Sequence, residues 1–175
     1  MGTALSETRA AVERWTADGN RTTVEFEVEH LWGLHTVRGR FGDFDGTYAV
    51  GPGGTEIELT VDASSIDTGI ATRDEHLRSP EFLFVALHPQ MRFRSTRVMR
   101  LDGEHVHVDG QLEAVGMTVP LAFDASLREI DGELEIEATT TVDQRRFGMS
   151  EGPLGNVRPP TTVHVKARLV REASA

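Results

Sequence analysis

From Thr23 to His30 the chain reads TVEFEVEH, with Val24, Phe26, Val28 and His30 on one parity and Glu25, Glu27 and Glu29 on the other. Side chains of a strand point alternately to its two faces, so this segment predicts a β-strand with one dry and one wet face. The alternation returns at Ile57, Leu59 and Val61, at Met91, Phe93 and Ser95, and at Val106 and Val108. It returns again at Val119, Leu121, Phe123 and Ala125, at Leu134, Ile136 and Ala138, and at Val163, Val165, Ala167 and Leu169. A longer strand over Val37 to Val50, interrupted near Gly42 and Gly46, brings the total to about eight. Gly51-Pro52-Gly53-Gly54, Asp102-Gly103 and Asp131-Gly132 separate neighbouring strands, and Asp-Gly pairs in that position are hairpin cues.

One-sided strands joined by hairpins close into a barrel or stack as a sandwich. Closure removes exposed edges, and the expected fold is all-β, an eight-stranded antiparallel barrel. A short two-helix insertion is expected between its third and fourth strands, in ATRDEHLRSPEFLFVALHP. There Thr72 and Glu75 have capping-box spacing, and Ser79, Pro80 and Glu81 repeat a helix-start signal that Pro89 ends. Leu77, Phe82, Phe84, Val85 and Leu87 are too apolar to leave in water and are expected to plug or line one end of the barrel. A second irregular stretch, Asp143 to Pro160, carries Phe147, Met149 and Leu154 and is long enough to be a functional loop.

The 175 residues, 38% hydrophobic and 26% charged, suit one domain, expected over residues 15–171 behind a flexible N-terminal arm at 1–14. A formal net charge of -10 argues against nucleic acid as partner. No apolar run approaches the roughly 20 residues of a membrane helix, so no transmembrane segment is expected. The first 14 residues do not read as an export signal, which makes the cytoplasm the expected location. The absence of cysteine removes disulfides, thiolate nucleophiles and cysteine-ligated metals together.

Candidate chemistry is sparse. Gly148-Met149-Ser150-Glu151-Gly152 spells a nucleophile elbow, but Pro153, Leu154 and Gly155 follow where a helix is required. His105 and His107 share one strand face, and the inward parity of Val106 and Val108 puts both in solvent rather than on a metal. His30 continues the apolar face of Val24, Phe26 and Val28, either as a satisfied buried histidine or as a polar contact at the barrel mouth. His76 has the same two readings, with Arg73, Asp74 and Arg78 as neighbours able to pair with it. Arg145 and Arg146 could meet an anionic head group or simply pair in solvent. No cofactor, no metal and no catalytic residue is expected.

TGIATRDEHLRSPEFLFVALHPQMRF resembles the signature of the YceI-like polyisoprenoid-binding proteins, through Arg73, Asp74, His76, Leu77, Arg78, Ser79, Phe82, Pro89 and Phe93. Val28-Glu29-His30, Gly39-Arg40-Phe41, Ile66-Asp67-Thr68-Gly69, Gly116-Met117-Thr118-Val119-Pro120 and Arg146-Phe147-Gly148-Met149 follow in consistent order. Asn20-Arg21 stands where the family commonly has His-Ser, and Phe82-Leu83 where it has Phe-Phe. The resemblance implies a lipocalin-like barrel, often dimeric, that holds an isoprenoid chain or related long apolar molecule. The expected function is thus binding, transport or storage of a polyisoprenoid, isoprenoid quinone or similar lipid. The alternative is a small barrel isomerase, cyclase or hydrolase acting on a lipid-like substrate. The expected ligand-binding residues are Phe26, Val28, His30, Phe41, Phe44, Ile57, Leu59, Leu77, Phe82, Phe84, Met91, Phe93, Phe123, Arg146, Phe147 and Met149.

Overall fold

The computed structural model describes residues 11–30, 35–149 and 157–173, with the backbone alone at His30 and at 157–159. Its strands are β1 (Glu13–Ala17), β2 (Thr23–His30), β3 (His35–Phe41), β4 (Phe44–Gly51), β5 (Gly54–Asp62) and β6 (Ile66–Asp67). After helix α1 (Ala71–Leu77) come β7 (Gln90–Arg100), β8 (His105–Ala114), β9 (Met117–Ile130), β10 (Glu133–Val142) and β11 (Val157–Arg171).

The first six segments form three kinked staves. β1 continues into β2, β3 into β4 and β5 into β6, because β4 pairs with both β1 and β5 while β3 pairs with both β2 and β6. β7 to β11 follow as a meander, and β11 pairs back to β1 and β2, closing an eight-stranded antiparallel barrel. Each kink satisfies its own backbone. At the β1–β2 kink Thr22 is buried and its hydroxyl accepts from the Arg168 amide at 3.2 Å. The Asp18 carboxylate there accepts from the Asn20 amide and the Arg21 guanidinium, which also forks onto Glu133 at 2.8 and 2.9 Å. In β11 the register slips between Arg158 and Thr162, where Pro159 and Pro160 have no amide hydrogen to donate.

The hairpin cues hold with one refinement. Asp131 and Gly132 both take positive φ, 54° and 80°, as a two-residue hairpin turn demands. Asp102 and Gly103 belong instead to a four-residue connection, 101–104, in which the Asp102 carboxylate accepts from the Glu104 and His105 amides.

Barrel closure is uneven along its axis. β9 and β10 pair from Ile130 and Glu133 only as far as Ala125 and Ala138. Beyond that point β9 stays with β8 while β10 stays with β11, so the wall splays into a V. A 3-10 turn over Gln144–Phe147 occupies the V and contacts both β9 and β11. Phe147, 3% exposed, packs there with Ala114 and Val119.

The insertion between the third and fourth staves holds one helix, not two. α1 starts after Ile70, with no side-chain cap, so Thr72 and Glu75 do not form the expected capping box. The signal is overridden by Asp74, whose buried carboxylate accepts from the Thr68 amide and hydroxyl and thereby ties the helix to the preceding turn. From Ser79 to His88 the chain makes consecutive turns. The Phe82 and Phe84 amides both reach the Ser79 carbonyl, and Phe84 adopts φ 45°, which ends any helical run.

Candidate functional site

The inward faces enclose a cavity of about 740 Å³. Its far end is solid: Tyr48, Val106, Val108, Leu127 and Leu134 pack into one cluster, with Val108 fully buried and Trp15 edge-on to Tyr48 at 5.6 Å. Burial there pushes the Tyr48 phenol above its ordinary pKa. Above that plug the wall is aliphatic and aromatic, supplied by Ile57 and Leu59, Leu112, Leu121 and Phe123, Ile136 and Ala138, and Val163 and Val165. The near end is bounded by α1 and its following turns on one side and by the Gln144–Phe147 turn on the other.

Two glycines shape the wall. An added Cβ on Gly39 would stand 2.5 Å from Phe26 Cζ, and one on Gly110 would meet the Phe93 ring and the Arg94 carbonyl. Both rings therefore lie flat over bare backbone, which leaves the middle of the barrel open. Phe26 also touches Phe41 at 5.5 Å between centroids, and Phe93 touches Phe123 at 5.3 Å.

Of the residues expected from sequence, Phe26, Val28, Phe41, Ile57, Leu59, Leu77, Phe82, Met91, Phe93, Phe123, Phe147 and Met149 lie along this cavity. Phe44 and Phe84 do not. Phe44 opens β4 directly after the Gly42-Asp43 kink and is half-buried outside the cavity, while the Phe84 ring turns onto His88 at 5.8 Å. Arg146 lines a separate cleft of about 230 Å³ between β9, β10 and Pro160, and its neighbour Arg145 forks onto Asp143 at 3.0 and 2.8 Å. The His30 side chain and the Ser150–Leu154 part of the long loop lie outside the described residues, as do residues 1–10 of the N-terminal arm.

The lining also includes positions not singled out from sequence: Val24, Val37, Leu83, Leu112, Leu121, Ile136, Ala138, Val163 and Val165. Strand alternation marks most of them as inward, but parity alone does not tell a residue that lines an open cavity from one that fills a core. Gln144 is different. It is 8% exposed and lines the cavity from within an irregular segment, where no periodicity could flag it.

The polar groups near the mouth are mostly engaged. Arg73 donates to the Thr68 hydroxyl and carbonyl at 2.8 and 2.9 Å, and Arg78 to the Ser64 and Ile66 carbonyls at 2.8 and 2.9 Å. Neither pairs with His76, contrary to expectation, because the Arg73 fork is spent on the turn before α1 and the Arg78 fork on the β5–β6 stave. His76 packs edge-on against Phe82, and its Nε2 sits 3.5 Å from Glu81 without a hydrogen bond. On the outer wall His105 pairs with Asp102 and His107 with Asp124 and Asp109, and no metal-binding cluster occurs among the described residues. Such an interior can hold a chain of methylenes and methyl branches. The lining carboxylate, Glu58, lies beside Arg92 and Arg94 at 3.5 and 3.7 Å rather than beside His76.

The fold and cavity define a closed, up-and-down β-barrel with an apolar interior, the lipocalin-like class. The model of the YceI-like domain matches residues 15–170, and the chain belongs to that family. A UPF0312 protein of Pectobacterium atrosepticum is 40% identical over 121 residues, covering 67% of this chain and 62% of that protein. Protein YceI of Salmonella paratyphi B is 38% identical over the same shares. This chain thus spans about 62% of the length of these curated relatives. Among solved structures, Burkholderia cenocepacia BcnA superposes with a TM-score of 0.76 at 15% identity, covering 90% of this chain and 99% of BcnA. A polyisoprenoid binding domain from Saccharophagus degradans superposes at 0.70 with 16% identity, covering 91% of this chain and 98% of that one. Among the described residues no helix is long and apolar enough to cross a membrane.

Proposed function

We propose that this protein binds a long flexible apolar molecule, a polyisoprenoid, isoprenoid quinone or similar lipid, and carries or stores it inside the barrel. The observation that carries the reading is a 740 Å³ interior walled almost entirely by aliphatic and aromatic side chains. The polyisoprenoid binding named for the Saccharophagus degradans domain is in keeping with it. A methylene takes up about the volume of a water molecule, roughly 30 Å³, so the cavity holds roughly 25 such groups, about five isoprene units. At about 0.3 kcal/mol per heavy atom for a ligand of that size, the expected affinity is about -7.5 kcal/mol, a Kd of a few micromolar. Phe26, Phe93 and Phe123 would grip the chain, and Leu77, Phe82, Phe147 and Met149 would close over its near end.

The reading is one of binding rather than catalysis: the wall is apolar, and the carboxylate near His76, Glu81 at 3.5 Å, is not part of the cavity lining. A homodimer and a cytoplasmic location belong to the same proposal and are read by light scattering and by cell fractionation. The principal test is displacement of a bound fluorescent apolar dye by linear prenols of increasing length. Affinity should rise with each isoprene unit and level off near five. Failure of every prenol and of fatty alcohols to displace the dye would refute the carrier reading.

A further inference from the structure

Two polar side chains of the cavity wall keep an unpaired nitrogen among the described residues: the half-buried His76, whose Nε2 lies against Glu81, and the more deeply buried Gln144. Three polar or charged residues are buried among the described residues: Thr22, Asp74 and Gln144. Thr22 accepts from the Arg168 amide, and Asp74 accepts from Thr68, so both act in holding the backbone. Gln144 is held by its oxygen alone. The Thr161 hydroxyl donates to Gln144 Oε1 at 3.1 Å, which fixes the plane of the amide, and Nε2 has no hydrogen-bond partner among the described residues. The side chain is 8% exposed, lines the main cavity, and has Val142, Phe147 and Met149 as neighbours along the same wall. A donor left unpaired at an apolar wall favours a ligand that brings an acceptor over one that does not.

The arginines nearby do not supply a phosphate site. Arg73, Arg78 and Arg145 are each bound twice to oxygens of the chain itself, and Arg92 lies beside Glu58. Arg146 opens onto the smaller cleft instead. An anionic head group at this end would therefore have to displace existing partners, whereas a neutral oxygen meets a waiting amide.

We propose that Gln144 is a specificity-determining residue whose Nε2 donates a hydrogen bond to an uncharged oxygen at the head of the bound chain. The inference rests on the carrier reading and narrows it. The barrel takes lipids bearing a carbonyl or hydroxyl oxygen in preference to bare hydrocarbons and to diphosphates. The tail then runs from the Gln144 end down past Phe123 and Ile57 toward the plug.

Three competitors sharing one twenty-carbon tail separate the possibilities: geranylgeranyl methyl ketone, the corresponding hydrocarbon, and geranylgeranyl diphosphate. In wild type the ketone should displace the dye at least about fivefold more tightly than the hydrocarbon, with the diphosphate weaker than the ketone. In Gln144→Leu the ketone should fall to the level of the hydrocarbon while the hydrocarbon binds as before or better. Infrared spectra of the bound ketone give a readout that needs no variant: its carbonyl band should lie below its position in alkane solvent. Equal binding of ketone and hydrocarbon by wild type, an unshifted carbonyl band, or equal weakening of both ligands by Gln144→Leu would each overturn the proposal. If all three competitors fail, the carrier reading falls with it, whereas tight but indiscriminate binding removes only the role of Gln144.

Discussion

Gly39→Ala is the most informative single change in the barrel. The new Cβ would stand 2.5 Å from Phe26 Cζ, 2.7 Å from Cε1 and 2.9 Å from Thr68 Cγ2. Carbon atoms in contact sit about 3.5–4.0 Å apart, so the ring must retreat by at least about 1 Å. Phe41 already lies against it, which leaves the cavity as the direction of retreat. A ring displaced there takes the room of about two methylenes, worth about 0.8 kcal/mol each, and ligand affinity should fall about fifteenfold. Stability should hardly change. Overpacking a filled core costs about 1–3 kcal/mol, but an open cavity yields, and alanine in a strand regains about 0.5–1 kcal/mol over glycine. The assay pairs dye displacement by geranylgeraniol with a thermal melt, and Phe26→Leu in the Gly39→Ala background should restore binding. Wild-type affinity in Gly39→Ala would show that the open space beside Phe26 is not where the ligand lies. Lost affinity without rescue would place the damage in the backbone instead.

Three further outcomes are expected. Ala138→Phe, midway along the wall, should shorten the longest prenol that still gains affinity by roughly one isoprene unit, as read in the same displacement series. Arg21 holds the Asp18 and Glu133 carboxyls below their ordinary values of 3.8 and 4.5. Their contribution is present above those values and lost as pH falls through the lowered ones, so Arg21→Met should flatten part of the acid-side loss of Tm. The hydrogen bond that the His107 ring donates to the Asp124 carboxylate, joined by Asp109, raises the His107 pKa above 6.5. That contribution is complete below pH 6.5 and lost as pH rises through the raised value, and Asp124→Asn should lower the His107 midpoint in an NMR titration; an unmoved midpoint would refute the pairing.

The strands were legible because a half-buried strand must alternate, and a parity rule needs only neighbours in the chain. Val163, Val165, Ala167 and Leu169 face inward as their spacing requires, and Asp131-Gly132 turns with both φ values positive because glycine and aspartate tolerate that region. The family was legible too, since its motifs lie in order along most of the chain. The insertion was legible only in part. Its helix-start signals at Thr72 and Ser79 are local, and contacts made by Asp74 and Arg73 with the Thr68 turn and by Arg78 with the β5–β6 stave override them.

Alternation says which face a residue takes, not how far along the barrel it sits. Val106 and Val108 share parity with Leu112 and Ala114 on β8, yet the first pair belongs to the solid plug and the second lines the cavity. That division depends on how residues from distant strands meet at one level, with Tyr48, Leu127 and Leu134 filling the far end while Gly39 and Gly110 leave the middle open. Gln144 depends on the tertiary structure still more. Nothing in its sequence neighbourhood marks it as buried, and it enters the wall only because β9 and β10 part at Ala125 and Ala138. The sequence by itself determined the strands, their dry faces and the family. The interior volume, the axial position of each side chain and the place of Gln144 in the cavity wall were decided by closure of β1 onto β11, since each is set by contacts between residues far apart in the chain.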